Sequence, residues 1–182
     1  SLELQTLLDA GDPPVCVSFG SMVNRDAERI DRIVKEALMR TNNRGIILSG
    51  WSEVRHQTSD DVLYLGAVPH DWLLPRCRII IHHGGAGTTS AGLRAGIPNI
   101  VVPFTADQPF WGRRAHAVGA GPKPIPVKNL SVEKLTQAIA EAKEDVSRRR
   151  AQDIGQRIRS EDGVKYTVDL IESHESNWGN FK

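Results

Sequence analysis

Ile79-Ile80-Ile81-His82-His83-Gly84-Gly85-Ala86-Gly87-Thr88-Thr89 constrains this chain more than any other stretch. An apolar β-branched run stops at two histidines. A glycine-rich turn follows, and two threonines lead into Ser90-Ala91-Gly92-Leu93-Arg94-Ala95. The pattern predicts a strand buried on both faces, a tight loop and a helix. Glycines let a backbone approach a bound group closely. The unpaired N–H groups and positive dipole end of the following helix then favour an anion, of which phosphate is the usual one.

The rest of the chain repeats the alternation. Val15–Phe19, Ile46–Leu48, Val62–Leu65, Arg78–Ile81 and Ile100–Val102 read as short apolar strands, and Ile125–Val127, set among prolines, as an edge strand. Ile30, Ile33, Val34, Ala37 and Leu38 recur at helical spacing, with Asn42-Asn43-Arg44-Gly45 as the stop. Pro69 to Pro75 predicts a loop with a short helical turn, capped by Asp71. Gly96 and Pro98 end the helix after the glycine loop, Pro109 suits the first turn of the next, and Ser131 caps another. Two further helices are expected near 146–159 and 164–173. Strands that alternate with helices imply an α/β, Rossmann-like parallel sheet with helices on both faces. The predicted organisation is a linker over 1–14, ending at Gly11-Asp12-Pro13-Pro14, one domain over 15–173 and a polar tail over 174–182. In such a sheet ligands bind beyond the C-terminal ends of the strands. The unusual loops all lie there: Ser18–Ser21, Gly50-Trp51-Ser52, Val68-Pro69-His70, His83–Thr89 and Thr105–Gln108.

Composition narrows the function. With 182 residues and a net charge of +1, the chain has a core but no electrostatic footprint for nucleic acid. Two cysteines, Cys16 and Cys77, read as small core residues in a reducing compartment, and no signal peptide or bilayer-length apolar run is present. The expected location is the cytoplasm, with a peripheral membrane position left open for a longer parent protein. The start at Ser1, without Met, suggests a piece of something longer.

A Walker loop needs Gly-Lys-Ser/Thr, and here Gly87 runs directly into Thr88. A dinucleotide fingerprint needs a third glycine where Ser90 stands, and it belongs after a first strand rather than a fourth. The fuller pattern is a different one. His83-Gly84-Gly85-Ala86-Gly87-Thr88-Thr89, Arg94-Ala95-Gly96-Ile97-Pro98 and Pro103–Gln108 resemble the donor-binding signature of family 1 glycosyltransferases, whose fold is called GT-B. Ser18–Met22, Ser49–Ser52, Val68–Leu73 and Asp107–Gly112 are similar to sterol 3β-glucosyltransferases, and the likeness runs from about Pro14 to Ser173.

That resemblance implies the C-terminal half of a GT-B fold and an inverting, metal-independent transferase with no cofactor. Its donor would be UDP-glucose and its acceptor the 3-hydroxyl of a sterol or similar lipid alcohol. It also implies that His83 contacts the donor phosphate and that Gly85, Ala86, Gly87 and Thr88 hold the diphosphate. Ser21 would add a donor from across the cleft, Asp107 and Gln108 would bind the sugar hydroxyls, and backbone near Val68 would read uracil. The general base belongs to the family's N-terminal domain, so no catalytic residue is expected in this one. A UDP-sugar binding module without activity of its own, and a transferase acting on a non-sterol small molecule, are the alternatives.

Ala91 and Ala67 depart from the plant small-molecule branch, which has a ribose-binding glutamate and a uracil-stacking tryptophan there. Trp51 could supply the missing stacking surface or pack beneath its own loop. His82, next to His83, is expected to be a buried, hydrogen-bonded side chain rather than half of a metal pair. Trp72 and Trp111 are expected to anchor loops, and Arg148-Arg149-Arg150 to form a solvated helix face.

Overall fold

In a computed structural model of the chain, residues 2–19, 27–48 and 61–178 are described, with side chains through residue 174. Ser21 and Trp51 lie outside the described residues. Among the described residues, five short strands form one parallel sheet: β1 (Val15–Ser18), β2 (Gly45–Leu48), β3 (Val62–Leu65), β4 (Ile79–His82) and β5 (Asn99–Val101). Their order is β3-β2-β1-β4-β5. The chain thus steps outward to β3 and returns to the other side of β1. Ser18 pairs with His82 at the last rung between β1 and β4, so the loops leaving these two strands start side by side. That is a topological switch point, where neighbouring connections part and open a crevice.

The strands are mostly apolar because both faces are covered. One face packs against α2 (Ala27–Arg40) and α6 (Val132–Lys143). Ile30, Ile33, Val34, Ala37 and Leu38 of α2, with Leu135, Ala138, Ile139 and Ala142 of α6, meet Val15, Val17, Ile79 and Ile81. The other face carries Cys16, Ile46 and Ile80 against Leu4 and Leu7 of α1 (Leu2–Asp9), Leu73 of α3 (His70–Leu73) and Leu74. Both cysteines are free and buried, as expected of core residues.

α4 (Ala86–Ala95) follows the glycine loop and ends where Gly96 turns left-handed at φ 76°. α5 (Gln108–Ala117) begins with a proline in its first turn, and the Ser131 hydroxyl accepts from the Lys134 N–H to cap α6. α7 (Asp145–Ser160) lies across α4, with Gly155 so close to Gly96 that a β-carbon would stand 2.6 Å from its Cα. Arg148, Arg149 and Arg150 are exposed on α7. α8 (Gly163–Trp178) leaves Val164, Tyr166, Val168, Leu170 and Ile171 exposed.

Four local expectations change. Much of the stretch read as a linker is α1, whose amphipathic leucines find a core: Leu4 and Leu7 are buried, and the Arg44 guanidinium donates to the Leu7 and Asp12 carbonyls. Residues 125–127 are not a sixth strand. Ile125 and Val127 donate to the Val101 and Pro103 carbonyls, each at 3.0 Å, but Pro124 and Pro126 between them have no N–H. The result is a strap along β5. Asp71 is not the cap of α3. Pro69 holds that position, and Asp71 sits inside the first turn, accepting from the Trp72 N–H at 3.0 Å. α8 continues to Trp178, beyond the predicted start of the tail.

Candidate donor site at the switch point

The glycine loop leaves β4 at the centre of the rim. Gly84 has φ 91°, and a β-carbon there would meet Val101 Cγ1 at 2.6 Å, so only glycine allows the turn so close to β5. Gly85 is the N-cap of α4, beneath the His83 ring, whose Nε2 would lie 2.5 Å from any β-carbon. Gly87 faces open space, with nothing within 4 Å of where a side chain would begin. The first N–H to close a helical bond is that of Thr89, onto the Gly85 carbonyl at 2.9 Å. The N–H groups of Ala86, Gly87 and Thr88 therefore start the helix without a carbonyl in the turn before them. Ala86 and Gly87 are exposed and Thr88 is half-buried. This is a concentrated set of donors at the positive end of a helix dipole.

His83 is half-buried, and its buried Nδ1 has no hydrogen-bond partner among the described residues. Burial lowers its pKa below the ordinary value, while the Ser18 carbonyl and the Asp107 carboxylate pull it up. The ring therefore stays neutral near pH 7. His82 behaves differently. It is fully buried, its ring lies edge-on to that of His83 with centroids 6.4 Å apart, and burial drives its pKa to about 3. His70, at the start of α3, is close enough that a charge on it would lower His82 further. Val68, two residues earlier, is half-buried and packs against the core on the face that holds Leu73 and Ile80. Ala91 packs into the core and Ala67 is exposed.

The loop after β5 completes the rim. Ala106 adopts φ 55°, and Asp107 follows it at the start of α5, exposed. Asp107 Oδ2 accepts from the Trp111 indole N–H at 2.8 Å. The bond anchors the Trp111 ring through one oxygen of an exposed carboxylate. Gln108 is buried, and its Oε1 accepts from the N–H groups of Phe104 at 2.8 Å and Thr105 at 3.1 Å. The Phe104 ring meets Phe19 edge-on at 5.6 Å, joining the loops after β5 and β1 above the end of β4. The sequence carried one trace of the Asp107–Trp111 bond, their i,i+4 spacing. It carried none of the Gln108 clamp or the Phe19–Phe104 contact.

Comparison with known proteins identifies the family and the fold. A family model described as "Erythromycin biosynthesis protein CIII-like, C-terminal domain" matches residues 43–165. The chain belongs to this family, the C-terminal domain of GT-B glycosyltransferases. It is 46% identical over 174 residues to the sterol 3-beta-glucosyltransferase UGT80A2 of Arabidopsis thaliana, a match covering 94% of this chain and 27% of that relative. Among solved structures, the calicheamicin glycosyltransferase CalG4 aligns with a TM-score of 0.79 at 21% identity, over 93% of this chain and 44% of that one. The spinosyn rhamnosyltransferase SpnG complexed with thymidine diphosphate aligns with a TM-score of 0.70 at 22% identity, over 88% of this chain and 45% of that one. These last two likenesses concern the fold.

Proposed function

We propose that the chain is the donor-binding domain of an inverting, metal-independent transferase that moves glucose from UDP-glucose to the 3-hydroxyl of a sterol or similar lipid alcohol. The observation that carries the reading is the start of α4: three N–H groups without helical partners, open space at Gly87 and the neutral His83 ring beside them. As the glycosidic bond to the diphosphate breaks, negative charge grows on the leaving group. Fixed N–H donors and a helix N-terminus stabilise that charge at no reorganisation cost. Asp107, exposed at the start of α5, is the group proposed to hold sugar hydroxyls and orient the anomeric carbon for in-line attack. The sterol assignment rests on the 46% identity to the plant sterol enzyme, and the diphosphate on the glycine-loop resemblance. The same reading places the protein in the cytoplasm. Its general base would come from an N-terminal domain, so these residues alone would hold the donor without transferring it.

Calorimetric titration tests the reading. UDP-glucose should bind equally well in EDTA and in Mg²⁺. Binding that requires Mg²⁺ would remove the metal-independent site. Glucose transfer to a sterol by this chain alone would overturn the assignment of the base to another domain.

A further inference from the structure

His82 lies behind the glycine loop, not on its open side, yet it is tied to the loop through a buried chain of hydrogen bonds. The bonding pattern fixes every proton in that chain. Asn99 Nδ2 donates to the Ile97 carbonyl at 2.8 Å, and a carbonyl can only accept. Asn99 Oδ1 therefore faces His82 Nε2, 3.0 Å away, and Nε2 must carry the ring hydrogen. Nδ1 is then a bare acceptor, and the Gly84 N–H donates to it at 3.1 Å. His82 and Asn99 are both fully buried, so no water competes for these bonds. Gly92 leaves the room for the carboxamide: a β-carbon there would stand 2.4 Å from Asn99 Oδ1.

The chain of bonds thus runs from Ile97, just past the end of α4, to Gly84, just before its start. Gly84 is the residue whose left-handed backbone turns the loop towards α4. We propose that His82, held as its Nε2–H tautomer by Asn99, is a positioning residue that sets where the N–H groups of Ala86, Gly87 and Thr88 stand relative to the donor diphosphate. This role rests on the donor-binding reading above. It touches no ligand: His82 acts through Gly84.

The two nitrogens of His82 can be tested separately. An asparagine places its amide oxygen near the Nδ1 position, and a glutamine reaches the Nε2 position. His82→Asn keeps an acceptor for Gly84 and loses the bond to Asn99. His82→Gln keeps the bond to Asn99 and leaves the Gly84 N–H buried without a partner. Each variant leaves one buried group unpaired, Asn99 Oδ1 in His82→Asn and the Gly84 N–H in His82→Gln, but only His82→Gln releases the glycine loop, so UDP affinity measured by calorimetry should fall about tenfold or more in His82→Gln and only about threefold in His82→Asn. Thermal midpoints should drop to a similar extent in both, which separates the positioning role from loss of fold. In ¹⁵N-labelled wild-type protein, a scalar coupling should appear between the Gly84 N–H and His82 Nδ1. Equal loss of UDP affinity in the two variants, or absence of that coupling, would overturn the role while leaving the donor site standing. A wild-type chain that fails to bind UDP would overturn the donor reading and this role with it.

Discussion

The Asp107 carboxylate is near enough to His83 to raise its pKa, yet the two are proposed to hold different parts of the donor, and substitution should separate them. His83→Ala removes a contact proposed for phosphate, so UDP and UDP-glucose should weaken together, by roughly 1.5–3 kcal/mol for a bond to a charged group. Asp107→Ala should weaken UDP-glucose by a similar amount and leave UDP within about twofold, because UDP has no hexose to hold. Titrating both ligands against each variant checks the contrast, and equal losses from Asp107→Ala would make that residue structural. The residue types were legible in the sequence, since a glycine loop after a strand and an Asp-Gln pair at a strand exit are local signals. The division of labour between Asp107 and Gln108 was not. Gln108 Oε1 is occupied by the amides of Phe104 and Thr105, a consequence of how the loop folds back on α5. Likewise, His82 was readable as a buried, hydrogen-bonded histidine, but its attachment to Gly84 needs Asn99, which arrives on another strand.

Among elements, α1 shows how a short segment can mislead when read alone. Eight residues are too few to form a stable helix in water without tertiary support. Its identity comes from the sheet face that receives Leu4 and Leu7, and from Arg44 at the start of β2, which holds its carbonyl end. Leu7→Ala should cost about 2–4 kcal/mol, as large-to-small changes at buried sites do. The exposed Leu2, at 84% accessibility, should tolerate the same change within about 0.5 kcal/mol. Urea unfolding of the two variants measures the difference, and equal effects would mean that α1 does not belong to the core. The strands were predictable as short continuous apolar runs, and the longer helices from their own periodicity. The length of α2 follows from its amphipathic run, and the ends of α4 and α6 from signals such as Gly96 and Ser131.

At the scale of the whole molecule, three histidines share one electrostatic bias. His82, His83 and His70 all have pKa values pushed below the ordinary 6.5, each first by burial, and His82 falls to about 3. The unfolded chain therefore binds protons between about pH 6.5 and pH 3 that the folded chain refuses. Stability is complete above that window and declines as pH falls through it, by up to ~1.4 kcal/mol per unit for His82 alone. Unfolding free energies measured at pH 7, 5.5 and 4.5 should decline more steeply for the wild type than for His82→Asn. Parallel declines would assign the acid sensitivity to other groups.

The proline strap beside β5 has a further consequence, for solubility. Along an extended segment, successive N–H groups point to opposite sides. Those of Ile125 and Val127 point inward to β5, so the outward positions belong to Pro124 and Pro126, which have none. The flank that a sixth strand would have offered to another molecule presents no hydrogen-bond donors there. The strap thus acts as a barrier to edge-to-edge association at the β5 side of the sheet.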